Sequence, residues 1–133
     1  MTDQSLIPVN PELITKAQTQ QGLGDLIKPL TREIYLFDSF IAGTTHLPDP
    51  EILKGAAVGD TLTLQRESDN RFDSRAILIL NEKGVKYGYI PEKDNIVFSR
   101  LMDAGKLLTA KIKDIKLKGS FTMVSIAIYL VDF

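Results

Sequence analysis

The sequence from Arg32 onward consists mainly of short apolar stretches separated by turns, and this pattern restricts the possible folds more than any other feature. Residues 60–66, DTLTLQR, alternate strictly between polar and apolar side chains. This period of two predicts a β-strand with Leu62 and Leu64 facing inward. The chain shows neither the alternation of strands and helices that builds a parallel sheet nor an internal repeat.

Further strands are predicted where aromatic and β-branched residues cluster between turn residues. These strands cover 34–43, 76–80, 85–90, 107–118 and 120–133. Together with 60–66 they give six short strands around one core. The pattern therefore indicates a mainly β (α+β) domain, built as a small closed or nearly closed barrel.

Two segments have helical signals instead. Residues 47–55 predict one helical turn after the first strand, capped by Asp49. A longer helix is predicted to begin at Asp94 or Asn95 and to end at Gly105, before the last hairpin. Its apolar residues recur at i and i+4, as on the buried face of a helix.

Residues 1–31 differ from the rest of the chain, because prolines and glycines interrupt them and their apolar periodicity is weak. Asn10 and Pro11 could open a short helix there. We interpret 1–31 as a partly ordered N-terminal arm and 32–133 as the barrel domain; a removable tail is the alternative for the arm. No secretory signal and no apolar run of roughly 20 residues is evident, so we expect a cytoplasmic protein without membrane association.

The composition excludes several kinds of chemistry. The 133 residues include no cysteine and a single histidine, His46. Disulfides, thiol catalysis and a histidine-built metal site are therefore not expected, and neither a metal nor a cofactor is predicted. The formal net charge is −1, so any attraction to nucleic acid must come from a local concentration of charge.

Catalysis would have to come from Glu67, Asp69 and Asp73, which lie close together in the sequence. Arginines are interspersed among these acids, and paired or solvated charges on a loop are the commoner explanation. We therefore expect a protein that is not an enzyme, and a nuclease that holds a metal with these acids is the weakest alternative.

A basic segment and several aromatic residues favour a binding function. Residues 106–118 hold five lysines against one aspartate, a local charge of +4. Lysines also protect edge strands from aggregation, which is the alternative explanation. Several aromatic rings are expected to be exposed: Phe72 in a charged loop, Tyr87 and Tyr89 on either side of Gly88, and Phe121 just after a turn. One or both of the tyrosines could instead belong to the core. Because bases stack on such rings while basic residues hold phosphates, the combination favours single-stranded nucleic acid over a protein-binding barrel.

One glycine at the end of the first strand and four later segments of the chain together resemble the HIRAN domain. They are Gly43, Gly59 to Glu67, Asn70-Arg71-Phe72-Asp73, Ala76-Ile77 and Gly88-Tyr89-Ile90-Pro91. HIRAN domains are known as N-terminal modules of fork-remodelling Snf-type ATPases and as stand-alone bacterial proteins. The resemblance, which covers about residues 37–131, implies an OB-like six-stranded β-barrel. It also implies binding of single-stranded DNA at 3′-hydroxyl ends, in DNA repair or replication-fork processing.

The resemblance further implies roles for individual residues. Asp73 is expected to accept a hydrogen bond from the terminal 3′-hydroxyl, while Phe72 and His46 hold the last bases. This sequence departs from the family at three positions: His46 replaces an aromatic residue, Thr45 replaces an arginine and Phe72 replaces a tyrosine. These departures affect strict 3′-end specificity more than they affect the fold or DNA binding in general.

Six further residues are predicted to contact DNA: Arg71, Tyr89, Phe121, Lys93, Lys111 and Lys113. Phe121 is expected to stack on a base, and the basic residues are expected to hold phosphates. A helicase or nuclease is the expected protein partner. The alternative function is a protein-interaction barrel that serves as an adaptor in a DNA-processing or phage-defence complex.

Overall fold

The computed structural model of this protein describes residues 32–132. The arm predicted over 1–31, with its short helix at Pro11, lies outside the described residues, as does Phe133. In chain order the described elements are β1 (Arg32–Phe40), a first 3₁₀ helix (Thr44–His46), a second 3₁₀ helix (Pro50–Gly55), β2 (Thr61–Arg66), β3 (Ile77–Leu80), β4 (Lys86–Tyr89), α1 (Glu92–Asp103), β5 (Leu107–Lys118) and β6 (Phe121–Asp132).

The six strands form one sheet in the order β1-β6-β5-β2-β3-β4, which curls into an antiparallel half-barrel. The predicted mainly β, OB-like fold is thereby confirmed. The alternating segment of the sequence gives β2, in which Leu62 and Leu64 are buried and Thr61 and Thr63 are exposed. Alternation therefore located this strand and its core-facing side correctly.

The two edges of the curled sheet meet at one point. Ala42, just after β1, and Tyr89 of β4 exchange two backbone hydrogen bonds with N···O distances of 2.8 and 2.9 Å. Gly88 permits this close approach, because a Cβ atom there would lie 2.3 Å from the Ala42 carbonyl oxygen and 2.6 Å from Cγ2 of Ile41. A side chain at position 88 would therefore push β4 away from the end of β1.

β5 and β6 form a long hairpin whose apolar face is kept continuous by a β-bulge. The register between the two strands shifts between Ile112 and Asp114. Because of the extra residue, Ile112 opposite Ile126 and Ile115 opposite Val124 all contribute to the same core.

The helix begins earlier than the sequence predicted. α1 starts at Glu92, so the predicted start at Asp94 or Asn95 was wrong. The carbonyl of Pro91 accepts hydrogen bonds from the amides of Asp94 and Asn95 at 2.9 and 3.0 Å, which puts Pro91 at the N-cap position. The prediction assumed that a polar side chain caps the helix, whereas Pro91 makes no capping hydrogen bond through its side chain. Gly105, with φ of 91°, follows the helix end as predicted.

The second 3₁₀ helix is the predicted helical turn, and Asp49 caps it by accepting a hydrogen bond from the Glu51 amide at 3.0 Å.

The core of the half-barrel is aliphatic. Its largest fully buried side chains are Leu62, Ile77, Ile79, Ile90, Ile112, Val124, Ile126 and Ile128. Between residues 32 and 132, no helix has the length and apolar character needed to cross a bilayer.

Candidate functional site

A cleft of approximately 810 Å³ lies where the segment after β1, the loop between β2 and β3, β4 and the start of α1 come together. Its lining residues are Ala42, Gly43, His46, Asn70, Phe72, Asp73, Ala76, Lys86, Tyr89, Ile90, Glu92 and Asn95. Because Ala42 and Tyr89 are both in this lining, the contact that joins the sheet edges also assembles the cleft.

The loop between β2 and β3, residues 67–76, contributes an exposed aromatic ring to the cleft. Oδ1 of Asn70 accepts hydrogen bonds from the backbone amides of Phe72 at 2.9 Å and Asp73 at 3.0 Å. This Asx turn fixes the local backbone. Phe72 is 95% exposed, so its ring is not part of the core and offers a flat apolar face to a ligand.

Arg66, the last residue of β2, fixes the base of the 67–76 loop. Its guanidinium donates to the carbonyl oxygens of Ala76 at 2.8 Å and Ser74 at 3.0 Å. It also pairs with Asp103 of α1, with Nε–Oδ1 and Nη2–Oδ2 distances of 2.8 and 3.2 Å. This pair raises the pKa of Arg66 and lowers the pKa of Asp103. The loop is therefore tied to both β2 and α1.

The carboxylate of Asp73 lines the cleft and is held by two donors. Oδ1 accepts from the Arg75 backbone amide at 2.9 Å, and Oδ2 accepts from Nδ2 of Asn95 at 2.7 Å. These hydrogen bonds, that of Arg75 first, lower the pKa of Asp73, so the group is ionised at neutral pH. Because an ionised carboxylate has about four acceptor sites, Asp73 can accept a further hydrogen bond from a ligand.

Tyr89 is held in the cleft wall by charged neighbours. Its hydroxyl donates to Oε1 of Glu67 at 2.8 Å, and the same oxygen accepts from Nδ2 of Asn70 at 2.7 Å. The hydrogen bonds from Asn70 and then from Tyr89 lower the pKa of Glu67. Nζ of Lys86 lies 4.5 Å from the Tyr89 ring centroid and 3.3 Å from its hydroxyl oxygen. The anion and the cation together orient the ring.

His46 reaches the cleft from the end of the first 3₁₀ helix. Gly43 precedes this helix with a left-handed φ of 79°, and its carbonyl accepts from the His46 amide at 3.0 Å. Thr44 is buried, and its hydroxyl donates to the Thr122 carbonyl at 3.4 Å. The exposed Thr45 adjoins His46 in the chain but is not among the lining residues.

The cleft brings together four of the residues predicted to contact DNA, namely His46, Phe72, Asp73 and Tyr89. Arg71 is exposed beside Phe72 in the 67–76 loop and does not line the cleft. Tyr87, the other tyrosine of β4, is buried in the core. Residues far apart in sequence, on three separate segments, therefore share one surface.

Phe121 and Lys93, which were also predicted to contact DNA, lie away from the cleft lining. Phe121 begins β6, where it pairs with Lys118 across the hairpin and is 37% exposed. Lys93 lines a separate groove between β1 and α1, and its Nζ lies 5.6 Å from the ring centroid of Phe40.

The predicted phosphate-binding lysines of β5 pair with acids of β1. Nζ of Lys111 lies 2.8 Å from Oε1 of Glu33, and Lys113 forms a salt bridge with Asp38. The hydrogen bonds that the two lysines donate to these acids raise the pKa of both lysines. Two of the five lysines counted over 106–118 are therefore paired with acids of β1, and none of the five lines the cleft.

Lys86 and Asn95 are among the polar side chains of the cleft that were not predicted from the sequence to contact DNA. Lys86 is the single lysine or arginine among the lining residues of the described chain. It stands three residues before Tyr89, but its orientation depends on a register shift between β3 and β4 that the sequence does not reveal. Asn95 is suggested as a helix cap by the sequence, whereas the structure buries it and directs its amide to Asp73.

Two acids of the 67–76 loop, Glu67 and Asp73, accept hydrogen bonds from different donors. Glu67 accepts hydrogen bonds from Asn70 and Tyr89, whereas Asp73 accepts from Asn95 and the Arg75 amide. Across residues 32–132, no three His, Asp or Glu side chains converge as metal ligands would.

Comparisons with known proteins relate the chain to one family. The sequence profile of the HIRAN domain matches residues 34–130. A crystal structure of a protein from Lactobacillus plantarum has a TM-score of 0.70 at 24% identity, covering 77% of this chain and 99% of that chain. The crystal structure of the HIRAN domain of human HLTF has a TM-score of 0.62 at 15% identity, covering 77% of this chain and 79% of that chain.

The NMR structure of the HLTF HIRAN domain has a TM-score of 0.55 at 16% identity, covering 75% of this chain and 79% of that chain. At these identities the solved structures are similar to this chain in fold. No curated protein sequence matches it.

Proposed function

This chain belongs to the HIRAN domain family, and from that premise we propose that it is a DNA-binding module that holds the 3′-hydroxyl end of single-stranded DNA in the cleft. The observation that carries this proposal is the juxtaposition of the exposed Phe72 ring with the ionised Asp73 carboxylate at one cleft. The ring offers a face to a base, and the carboxylate offers an acceptor to a hydroxyl. Such a module would serve DNA repair or replication-fork processing, where free 3′ ends arise.

The cleft contains three rings on which bases can stack. His46, Phe72 and Tyr89 come from different segments and line the same cleft. Each stacked base contributes about 1–3 kcal/mol to the binding of a single strand. Lys86 is the cleft residue available to a phosphate, and the exposed Arg71 beside Phe72 is a second candidate.

The charges of the cleft favour a strand end over an internal stretch. Two carboxylates, Asp73 and Glu92, line the cleft together with one cation, Lys86. An internal nucleotide would carry a phosphate on both sides and would bring one of them towards these carboxylates, where like charges repel. A terminal 3′-hydroxyl lacks that phosphate and can instead donate a charge-assisted hydrogen bond to Asp73.

Fluorescence anisotropy with short labelled oligonucleotides tests the proposal. We expect a 3′-hydroxyl strand to bind at least about tenfold more tightly than a 3′-phosphate strand, since the phosphate loses the hydrogen bond and gains repulsion. A circular single strand, which has no end, should compete weakly. Asp73→Ala should remove the preference, whereas Asp69→Ala, an exposed acid of the same loop that does not line the cleft, should keep it.

Each failure of this experiment has a distinct meaning. Equal affinity for the two 3′ ends would remove the end-binding role and leave general binding to single strands. The absence of binding at low ionic strength, where phosphate contacts are strongest, would remove the DNA-binding function altogether.

A protein-interaction role is the second candidate, and the exposed apolar side chains of β1 favour it. Tyr35 and Phe37 are 54% and 46% exposed. Replacing both with serine separates the two functions: unchanged oligonucleotide affinity would leave β1 available to a helicase or nuclease partner, and lost affinity would place the DNA on β1.

A further inference from the structure

Glu67 is not among the proposed DNA contacts, but it forms hydrogen bonds with residues on two sides of the cleft. Its Oε1 atom accepts one hydrogen bond from Nδ2 of Asn70 at 2.7 Å and another from the Tyr89 hydroxyl at 2.8 Å. Asn70 belongs to the 67–76 loop and Tyr89 to β4. One carboxylate oxygen therefore connects the loop that carries Phe72 to the strand that carries the neighbouring ring.

The carboxylate determines which way the Asn70 amide faces. A carboxylate can only accept hydrogen bonds, so Nδ2 of Asn70 must face Glu67. Oδ1 is then directed to the backbone amides of Phe72 and Asp73, at 2.9 and 3.0 Å. The reversed amide would place an NH₂ group against two N–H donors and lose both of these hydrogen bonds.

The same carboxylate also anchors Tyr89, which receives a second constraint from Lys86. The lysine ammonium lies 4.5 Å from the ring centroid, while the hydroxyl donates to Glu67. The ring is thus held at its hydroxyl by an anion and beside its plane by a cation. Without Glu67, the hydroxyl would lose its acceptor and the ring could rotate towards water.

We propose that Glu67 is a positioning residue for the DNA end: it holds the Asn70 amide and the Tyr89 ring in a fixed arrangement, and thereby sets the placement of Phe72 and Asp73 relative to Tyr89. Glu67 acts through these neighbours and does not touch the DNA. This inference rests on the proposed function, because it explains how that cleft is kept in a shape that accepts a terminal nucleotide.

Two substitutions at Glu67 distinguish positioning from a general contribution to stability. Glu67→Gln retains an acceptor oxygen for Asn70 and Tyr89, whereas Glu67→Leu has a similar length and no acceptor. We expect Glu67→Leu to weaken binding of a 3′-hydroxyl oligonucleotide roughly fivefold to tenfold and to reduce its preference over the 3′-phosphate strand. Glu67→Gln should restore both quantities to within about twofold of the original protein. Glu82→Leu, an exposed glutamate in the turn before β4, is the matched control and should change neither.

A measurement without DNA separates failure of this inference from failure of the proposed function. In ¹H–¹⁵N spectra of the free protein, the amide resonances of Phe72 and Asp73 should shift in Glu67→Leu and return in Glu67→Gln. Tyr89→Phe, which removes only the hydroxyl, should shift the same resonances and serves if Glu67→Leu does not fold. Unchanged resonances in these folded variants, or an unchanged 3′-hydroxyl preference in Glu67→Leu, would overturn the positioning role. Shifted resonances in a protein that binds no DNA would instead overturn only the proposed function.

Discussion

Asn95 donates a hydrogen bond from its amide nitrogen to Oδ2 of Asp73 at 2.7 Å, across an interval of 22 residues. Asn95 is 2% exposed at the start of α1, whereas Asp73 lines the cleft. The bond therefore connects a side chain fixed by core packing to the carboxylate proposed to meet the DNA end. The position of Asp73 depends on how α1 packs as well as on its own loop.

Replacing Asn95 tests this connection. Asn95→Ala should lower the free energy of unfolding by about 1 kcal/mol, because Asp73 loses one donor and remains accessible to water. It should also raise the pKa of Asp73 and reduce the 3′-hydroxyl preference. Asn95→Asp should destabilise more strongly at neutral pH, since it sets a second carboxylate beside the first, and it should recover stability as the pH is lowered. Urea denaturation at two pH values measures both effects, and equal stability of the two variants at neutral pH would contradict them.

The closure of the sheet through Gly88 gives a second prediction. Gly88→Ala should cost roughly 2–4 kcal/mol of stability, because the new Cβ would overlap the Ala42 carbonyl and force the bridge to Tyr89 apart. Gly84→Ala is the matched control: Gly84 also has a positive φ, of 82°, but no atom lies within 4 Å of a Cβ there. Its cost should be about 1 kcal/mol, from backbone strain alone.

Thermal denaturation compares these two glycine variants, and hydrogen exchange locates the damage. In Gly88→Ala the amides of Ala42 and Tyr89, which form the bridge, should exchange faster than in the original protein. Equal destabilisation by Gly84→Ala and Gly88→Ala would show that the close approach at Gly88 does not hold the sheet edges together.

The strands and the main turns of this fold were predictable because their signals are local. The alternation in 60–66 identified β2 and its buried face, and Asp49 identified the second 3₁₀ helix. The start of α1 was not predictable in this way, because its N-cap is Pro91, whose carbonyl gives no side-chain signal. Local sequence patterns therefore predicted which strands and helices form more accurately than they predicted the residue at which α1 begins.

The cleft was predictable only in part, for a physical reason. A short motif contains Phe72 and Asp73, so these two residues could be identified together. The partners of Lys111 and Lys113 lie 78 and 75 residues earlier in the chain, and a count of local charge cannot reveal that Glu33 balances the first of them. The role of Lys86 depends on the register of β4, which is set by strand pairing and not by the residues nearby.

Arg66 gives a third prediction, because it ties the 67–76 loop to β2 and α1. Arg66→Ala should lower the free energy of unfolding by about 1–2 kcal/mol, since the carbonyls of Ala76 and Ser74 lose their donor. Arg66→Lys should recover only part of this loss, because an ammonium cannot form the two-point contact with Asp103. Limited trypsin digestion should then cleave faster within the loop, after Arg71 or Arg75.

The control for the Arg66 variants is Arg100→Ala, which removes an exposed arginine of α1. It should leave both the stability and the rate of loop cleavage close to those of the original protein. Equal cleavage rates in Arg66→Ala and Arg100→Ala would mean that other contacts, such as the Asn70 turn, are sufficient to hold the loop.

The carboxylates of the described chain give a final prediction, on acid stability. Hydrogen bonds lower the pKa values of Asp38, Glu67, Asp73 and Asp103 in the folded protein. Unfolding returns each group to an ordinary value near 4, so the unfolded chain takes up protons more readily. The stability that these groups contribute is therefore fully present above their ordinary pKa and is lost as the pH falls through the lowered folded values.

Urea denaturation should give a nearly constant free energy of unfolding from neutral pH to about 5 and a decline below about 4. Asp73→Asn should make that decline shallower, and an unaltered decline would show that Asp73 does not contribute to it.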